Sequence, residues 1–170
     1  MTTVNLTEAE IRVCVSLATE RWFMKKNSVD RPNYAAGRQQ NLLEHDLLAG
    51  IRANVSEYAV SKYLGLPWTT PFYENSEHPR RIDHPDVGDH IEVRTLRTRA
   101  EVPVWPKDVN KQALIVATHV PNPDTYTQVE ILGWMWAVNA TKNEWLEPSD
   151  GSWRVPVTSL HAISEYSEAF

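Results

Sequence analysis

Apolar positions recur at helical spacing in the first third of the chain and alternate with polar ones further on. Thr7-Glu8-Ala9-Glu10 has the S/T-x-x-E pattern of a capping box and predicts a helix start. Ile11, Cys14, Val15, Ala18 and Trp22 follow on one face, and Lys25-Lys26 suit the negative end of the helix dipole. Asn27 to Gly37, with Arg31-Pro32-Asn33, reads as a loop. Helical pattern returns from about Arg38, and Gly50 predicts a break or a close packing contact. From Ile51 to Leu64 one stripe holds Val55, Ala59 and Tyr63, with Gly65 as the C′ glycine and Pro67 beyond it.

After Trp68 the pattern changes period. Pro71 to Tyr73 reads as a short strand, and Glu74 to Arg81 as a polar loop. Ile82 to Asp86 and His90 to Thr95 read as a hairpin with Gly88 in the turn. The second arm puts His90, Glu92 and Arg94 on one face and Ile91, Val93 and Thr95 on the other. Ala113 to Thr118 and Tyr126 to Leu132 are buried-type strands joined through Pro121-Asn122-Pro123-Asp124. Gly133 to Ala137 reads as the start of a short helix, and Val155 with Val157 as a last short strand. Helices followed by strands predict a mixed α/β (α+β) fold, with a central sheet flanked by the N-terminal helices. The 170 residues make one domain, 1–170, with an N-terminal helix and loop over 1–37 and a core over 38–170.

Composition narrows the classes. Apolar residues are 42% and charged residues 23%, the balance of an ordinary globular chain. No run approaches the roughly 20 apolar residues of a membrane span. The N-terminus lacks a basic segment followed by an apolar run, so no signal peptide is expected and the cytoplasm is the expected compartment. Cys14 is the one cysteine, which excludes an intramolecular disulfide and a cysteine-cage zinc site; its place on the apolar stripe marks it as core. His78, His84 and His90 recur every six residues, which is not zinc-ligand spacing on a helix. There is no phosphate-binding glycine loop and no G-x-S-x-G elbow.

The net charge of −5 argues against nonspecific coating of nucleic acid. The distribution is less uniform: Arg80 to Arg99 holds five arginines interleaved with four acids. Within it, Asp86 and Glu92 lie on the two arms of the expected hairpin, and Glu92 shares a face with Arg94. Hard divalent cations take such oxygen ligands together with substrate phosphate. Asp86 also suits a turn before Gly88, and Glu92 also suits a salt bridge with an arginine. Asp83 and Asp89 read as solvated, and Asp108 as structural. Glu57 sits mid-helix on the face of Asn54 and Ser61, where helix geometry alone favours a solvated carboxylate. Trp134 and Trp136 suit core packing better than base stacking.

Pro85-Asp86, five residues, then Glu92-Val93-Arg94 resembles the P-D-x(n)-(D/E)-x-K motif of the restriction-endonuclease-like nuclease superfamily. Glu57 stands where that family's helix often supplies a further glutamate. The run from Gly50 to Ala137 also resembles small phage proteins placed near this superfamily. The resemblance implies a restriction-endonuclease-like fold and hydrolysis of DNA phosphodiesters. It implies Mg2+ or Mn2+ held by Asp86, Glu92 and Glu57, with Arg94 on the phosphate. Arg94 replaces the family's lysine. Arginine carries charge but is a poor proton shuttle, so a lysine from elsewhere, Lys107 or Lys62, is a candidate. The alternative implied by this departure is a catalytically inactive nuclease-fold binding module, acting in a phage assembly or on a host protein or nucleic acid. DNA is the expected partner, with a homo-oligomer or a phage or host protein as further partners, and no membrane.

Overall fold

The computed structural model describes residues 1–27, 42–69 and 84–166. The expected strand at 71–73 and most of the first hairpin arm lie outside the described residues, as do His78 and Asp83. Strand β1 (Thr2–Asn5) leads into helix α1 (Glu8–Asn27). The capping box forms as the sequence predicts: the Thr7 amide donates to Glu10 Oε2 at 2.7 Å, and the Glu10 amide donates to Thr7 Oγ1 at 3.3 Å.

Helix α2 (Leu42–Leu64) runs unbroken through Gly50. A Cβ added at Gly50 would lie 3.9 Å from the Cβ of Ala18, so this glycine marks the contact between the two helices. Val55, Ala59 and Val60 are fully buried, whereas Tyr63, expected on the same stripe, is 40% exposed. Gly65 takes φ +71° and ends the helix as predicted, with the Leu66 amide donating back to Ser61 O at 3.2 Å.

The remaining elements are β2 (Ile91–Leu96), β3 (Glu101–Val104), α3 (Pro106–Asn110), β4 (Leu114–His119), β5 (Gln128–Trp136), β6 (Leu146–Glu147) and β7 (Ser152–Pro156). The four-stranded sheet has the order β1-β5-β4-β2. β2 and β4 are parallel, joined by a crossover through β3 and α3; the other neighbours are antiparallel. A second, antiparallel sheet has the order β3-β7-β6. This is a mixed α+β fold in layers, with helices on one face of the central sheet and the small sheet on the other. Among the described residues, no helix is long and apolar enough to cross a membrane.

Two apolar clusters follow from these layers. Ile91, Val93, Leu114, Val116, Val129, Ile131 and Trp134 pack with Cys14, Ala18, Val55 and Ala59 of the helices. Leu96, Ile115, Ala117, Leu132 and Met135 pack with Val102, Val104 and Val155 of the small sheet. β5 is buried on both faces, so it reads as a continuous apolar run without alternation. That is why 133–137, expected as a short helix, is instead the end of a strand, followed by a 3-10 turn over Ala137–Ala140. β1 and β3 were not legible as strands: both have only four residues. Val157 lies past β7 in a 3-10 turn, not in a strand.

A bulge organises β5. Ala117 pairs with Gly133 and Thr118 with Ile131, which leaves Leu132 as the extra residue. The side-chain parity flips there, so Trp134 joins Ile131 on the helix side. Gly133 has φ +154°, and a Cβ built on it would come within 2.6 Å of His161 O and 2.7 Å of Leu160 Cβ. Both are fixed, because the Trp134 amide donates to His161 O and the His161 amide to Trp134 O, each at 2.9 Å. Gly133→Ala is expected to cost on the order of 1–3 kcal/mol of stability, by strain and overpacking together. Urea denaturation of the two proteins measures it; an unchanged midpoint would contradict the contact.

Candidate functional site

The site is built around the free edge of β2. Alternation sends Ile91 and Val93 to the helices, while Glu92, Arg94 and Leu96 face the side of α3 and the small sheet. β2 is an edge strand in the order β1-β5-β4-β2, so its outer amides need acceptors from elsewhere. Asp86 supplies one: its Oδ2 accepts from the Val93 amide at 2.7 Å. A tight hairpin holds Asp86 in place. Its amide donates to Ile91 O at 2.9 Å, and Gly88 takes φ +56° in the turn, as the sequence predicts. The segment after α2 then lies alongside, with the Thr69 amide donating to Asp86 O at 3.1 Å and the Gly88 amide to Pro67 O at 2.9 Å.

Glu57 arrives from α2 on the helix side. It is buried, contrary to the solvated carboxylate that helix geometry favours, because α1 and the chain after α2 cover it. Trp68 Nε1 donates to its Oε2 at 3.0 Å, and Arg21 Nη1 of α1 stands 3.7 Å from the same oxygen. Arg21 Nη1 also donates to Asn54 Oδ1 at 2.7 Å, and Asn54 Nδ2 donates to Cys14 O at 3.2 Å. Asn54 is therefore a buried tie between helices. Cys14 is core as predicted, with burial, then Glu57 and Glu10, pushing its thiol up to about 12.

Glu92 reaches the edge from the opposite face. Arg94 Nη1 donates to its Oε2 at 3.2 Å, and Lys111 Nζ lies 3.9 Å from its Oε1. Arg94 is not the exposed polar residue that strand alternation suggests. Its Nη2 donates to Asp108 Oδ1 at 2.8 Å, and the Asp108 side chain is 1% exposed. Asp108 Oδ2 accepts the Trp105 amide at 2.9 Å and so caps α3. Burial opposes the charge on Arg94, but Asp108, then Glu92 and Asp86, outweigh it and raise its pKa.

Three carboxylates from three directions thus repel one another across this edge. Burial raises the pKa of Asp86 to about 7, with further contributions from Glu57 and Glu92. Glu57 is raised as well, chiefly by burial, against the opposing effects of Trp68 and Arg21. Among the described residues no three His, Cys, Asp or Glu side chains form a ready-made metal cage. The donor set is nonetheless all oxygen, and the raised Asp86 marks a place short of positive charge. Both fit a hard divalent cation in chemistry.

The other sequence candidates lie elsewhere. Lys62 donates to Glu10 Oε2 at 2.9 Å and to Asn5 O at 3.0 Å, and with the Thr7 amide it lowers the Glu10 pKa to about 2. Lys107 is exposed in the first turn of α3, and Asp89 and His84 are exposed. His90 stacks on Trp136 at 5.4 Å, and Trp134 is buried in the core as expected. Sequence reasoning missed Arg21, Lys111 and the partnership of Arg94 with Asp108. The signal for the last was weak: an acid at the third position after Trp105-Pro106, a helix-start pattern. In comparisons with known proteins, the chain matches no family model, no curated protein and no solved structure.

Two outcomes are expected. Below about pH 4 Asp86 is protonated in both the folded and unfolded chain. Between the ordinary value of 3.8 and about 7 the unfolded chain loses the proton and the folded one keeps it, so stability falls as pH rises through this window. The loss is complete above about 7 and is on the order of 2–4 kcal/mol. Asp86→Asn keeps an acceptor for the Val93 amide and removes the charge, so it should flatten this slope and raise the midpoint at pH 8. Urea melts at pH 5 and pH 8 measure both. The second concerns Arg94→Ala, which strands the buried Asp108 carboxylate and should cost roughly 3–5 kcal/mol. Arg94→Ala/Asp108→Asn should recover part of that loss in the same melts.

Proposed function

We propose that the chain is a metal-dependent deoxyribonuclease of restriction-endonuclease-like type, hydrolysing phosphodiester bonds. The observation that carries this reading is the convergence of Glu57, Asp86 and Glu92 on the free edge of one strand, with Arg94 and Lys111 on Glu92 and Arg21 on Glu57. Paired carboxylates beside cations are the chemistry of phosphoryl transfer, where charge neutralisation and positioning do most of the catalytic work.

Asp86, Glu92 and Glu57 would hold Mg2+ or Mn2+, whose chemistry is to lower the pKa of water and neutralise phosphate charge. The chain's own residues have distinct parts. The Val93 amide fixes Asp86 through Oδ2. Arg94, braced by Asp108, orients Glu92, so in this reading it is a positioning residue and not the phosphate contact that the motif implies. Trp68 and Arg21 set the Glu57 carboxylate. In the hydrolysis a water oxygen bonds to phosphorus, the bond from phosphorus to the leaving 3′ oxygen breaks, and the leaving oxygen takes up a proton.

A second reading is a nuclease-fold binding module without activity, in a phage assembly or on a host partner. It is favoured by the engagement of Arg94 with Asp108 and by the net charge of −5. Calorimetry with Mn2+ and cleavage of plasmid and single-stranded DNA separate the two. The nuclease reading expects a Mn2+ site and cleavage, both lost in Asp86→Asn/Glu92→Gln, with activity falling by roughly 10²-fold or more. Folded wild-type protein that binds no Mn2+ and cuts neither substrate would leave the binding module.

A further inference from the structure

The nuclease reading needs a cation that can meet the substrate's phosphate, and Arg94 is poorly placed to be it. Both terminal nitrogens of Arg94 are engaged, Nη1 with Glu92 and Nη2 with Asp108, and its side chain is 17% exposed. Its Nε is buried with no partner among the described residues. Swinging the guanidinium outward would leave Asp108, at 1% exposure, as an uncompensated buried charge.

Resting on that reading, we propose that Lys111 is the residue that contacts the phosphate of a bound DNA strand. Its Nζ stands 3.9 Å from Glu92 Oε1, the oxygen of that carboxylate opposite the one Arg94 holds. The distance is Coulombic and too long for a hydrogen bond, so moving the ammonium onto a phosphate oxygen breaks no such bond to Glu92. The side chain is 31% exposed against 17% for Arg94, so Lys111 reaches Glu92 from the solvent side. A lysine is a compact charge on a flexible stem, which suits a phosphate arriving from solvent.

The backbone under Lys111 is held from both sides. Its amide donates to Lys107 O at 3.1 Å as the C-cap of α3. Gln112 follows at φ +53°, a left-handed conformation uncommon for a side chain other than glycine, with its amide on Val109 O at 3.0 Å. The Ala113 amide returns to Asp108 O at 3.0 Å. β4 then begins, with Leu114 beside Ile91 and Ile115 beside Glu92. The same Asp108 that braces Arg94 thus ends the turn that carries Lys111, and the parallel ladder sets that turn against β2. The strained residue lies next to the proposed contact, where backbone strain recurs at functional sites.

The test is binding of a labelled duplex oligonucleotide by fluorescence anisotropy over a salt series, with Ca2+ present, together with cleavage in Mg2+ and Mn2+. The proteins are wild type, Lys111→Ala, Lys111→Arg and Lys142→Ala, the last a lysine stacked on Trp145 at 4.1 Å and outside the site. Lys111→Ala should bind roughly 5- to 10-fold more weakly, with a salt slope smaller by about 1. Lys111→Arg should restore the slope and most of the affinity, and Lys142→Ala should match wild type. Thermal melts should be unchanged for Lys111→Ala, since a part-exposed pair contributes little. If Lys111→Ala binds and cuts as wild type does, the inference is overturned and the nuclease reading stands. If wild type cuts nothing but loses affinity on Lys111→Ala, the phosphate contact stands and the hydrolytic reading falls. Absence of any DNA binding by folded wild type overturns both.

Discussion

The buried ion pair between Arg94 and Asp108 joins the edge strand of the central sheet to the crossover that follows it. Asp108 caps α3 through the Trp105 amide, accepts from Arg94 at 2.8 Å, and gives its carbonyl to the Ala113 amide where the turn leads into β4. One residue therefore sets where α3 begins, where Glu92 is held and where β4 starts. Burying two charges is costly unless their hydrogen bonds are met. Here Asp108 has both oxygens engaged, and only Arg94 Nε goes without. Such a pair does little to raise stability over an apolar one, but it specifies one arrangement of strand and crossover.

An edge strand leaves amides that must be satisfied or exposed. β2 meets this need with a side chain: the Asp86 carboxylate stands where a neighbouring strand's carbonyl would be. This covers the edge and at the same time carries a carboxylate to it. Glu57 and Glu92 then add charge from the two faces. The group raises the Asp86 pKa to about 7, so the arrangement works against folding at neutral pH. Strain of this kind is expected where a protein keeps groups for a ligand and not for its own stability.

The helix layer answers the same charge from the other side. Arg21 of α1 spans Asn54 and Glu57, and Asn54 continues to the carbonyl of Cys14. This polar tie runs through a helix interface otherwise made of Cys14, Ala18, Gly50 and Val55. Small residues let the helices approach closely, which places Arg21 within reach of a carboxylate on its neighbour.

The sequence by itself determined what depends on residues a few positions apart. The Thr7–Glu10 capping box, the Gly65 helix end, the turn at Gly88 and the alternation of β2 all formed as read, because each is fixed by local hydrogen-bond geometry and by the conformations glycine permits. The same local logic failed where burial on both faces removed the alternation, as in β5, and where a helix position such as Glu57 was covered by elements distant in the chain. Tertiary structure alone decided the parallel pairing of β2 with β4, which carries Lys111 and Asp108 to Glu92, and the helix contact that brings Arg21 to Glu57. A charged residue's partner depends on which faces pack together. Solvation and ion pairing are close in free energy for an exposed side chain, so the choice is made only when packing removes the water.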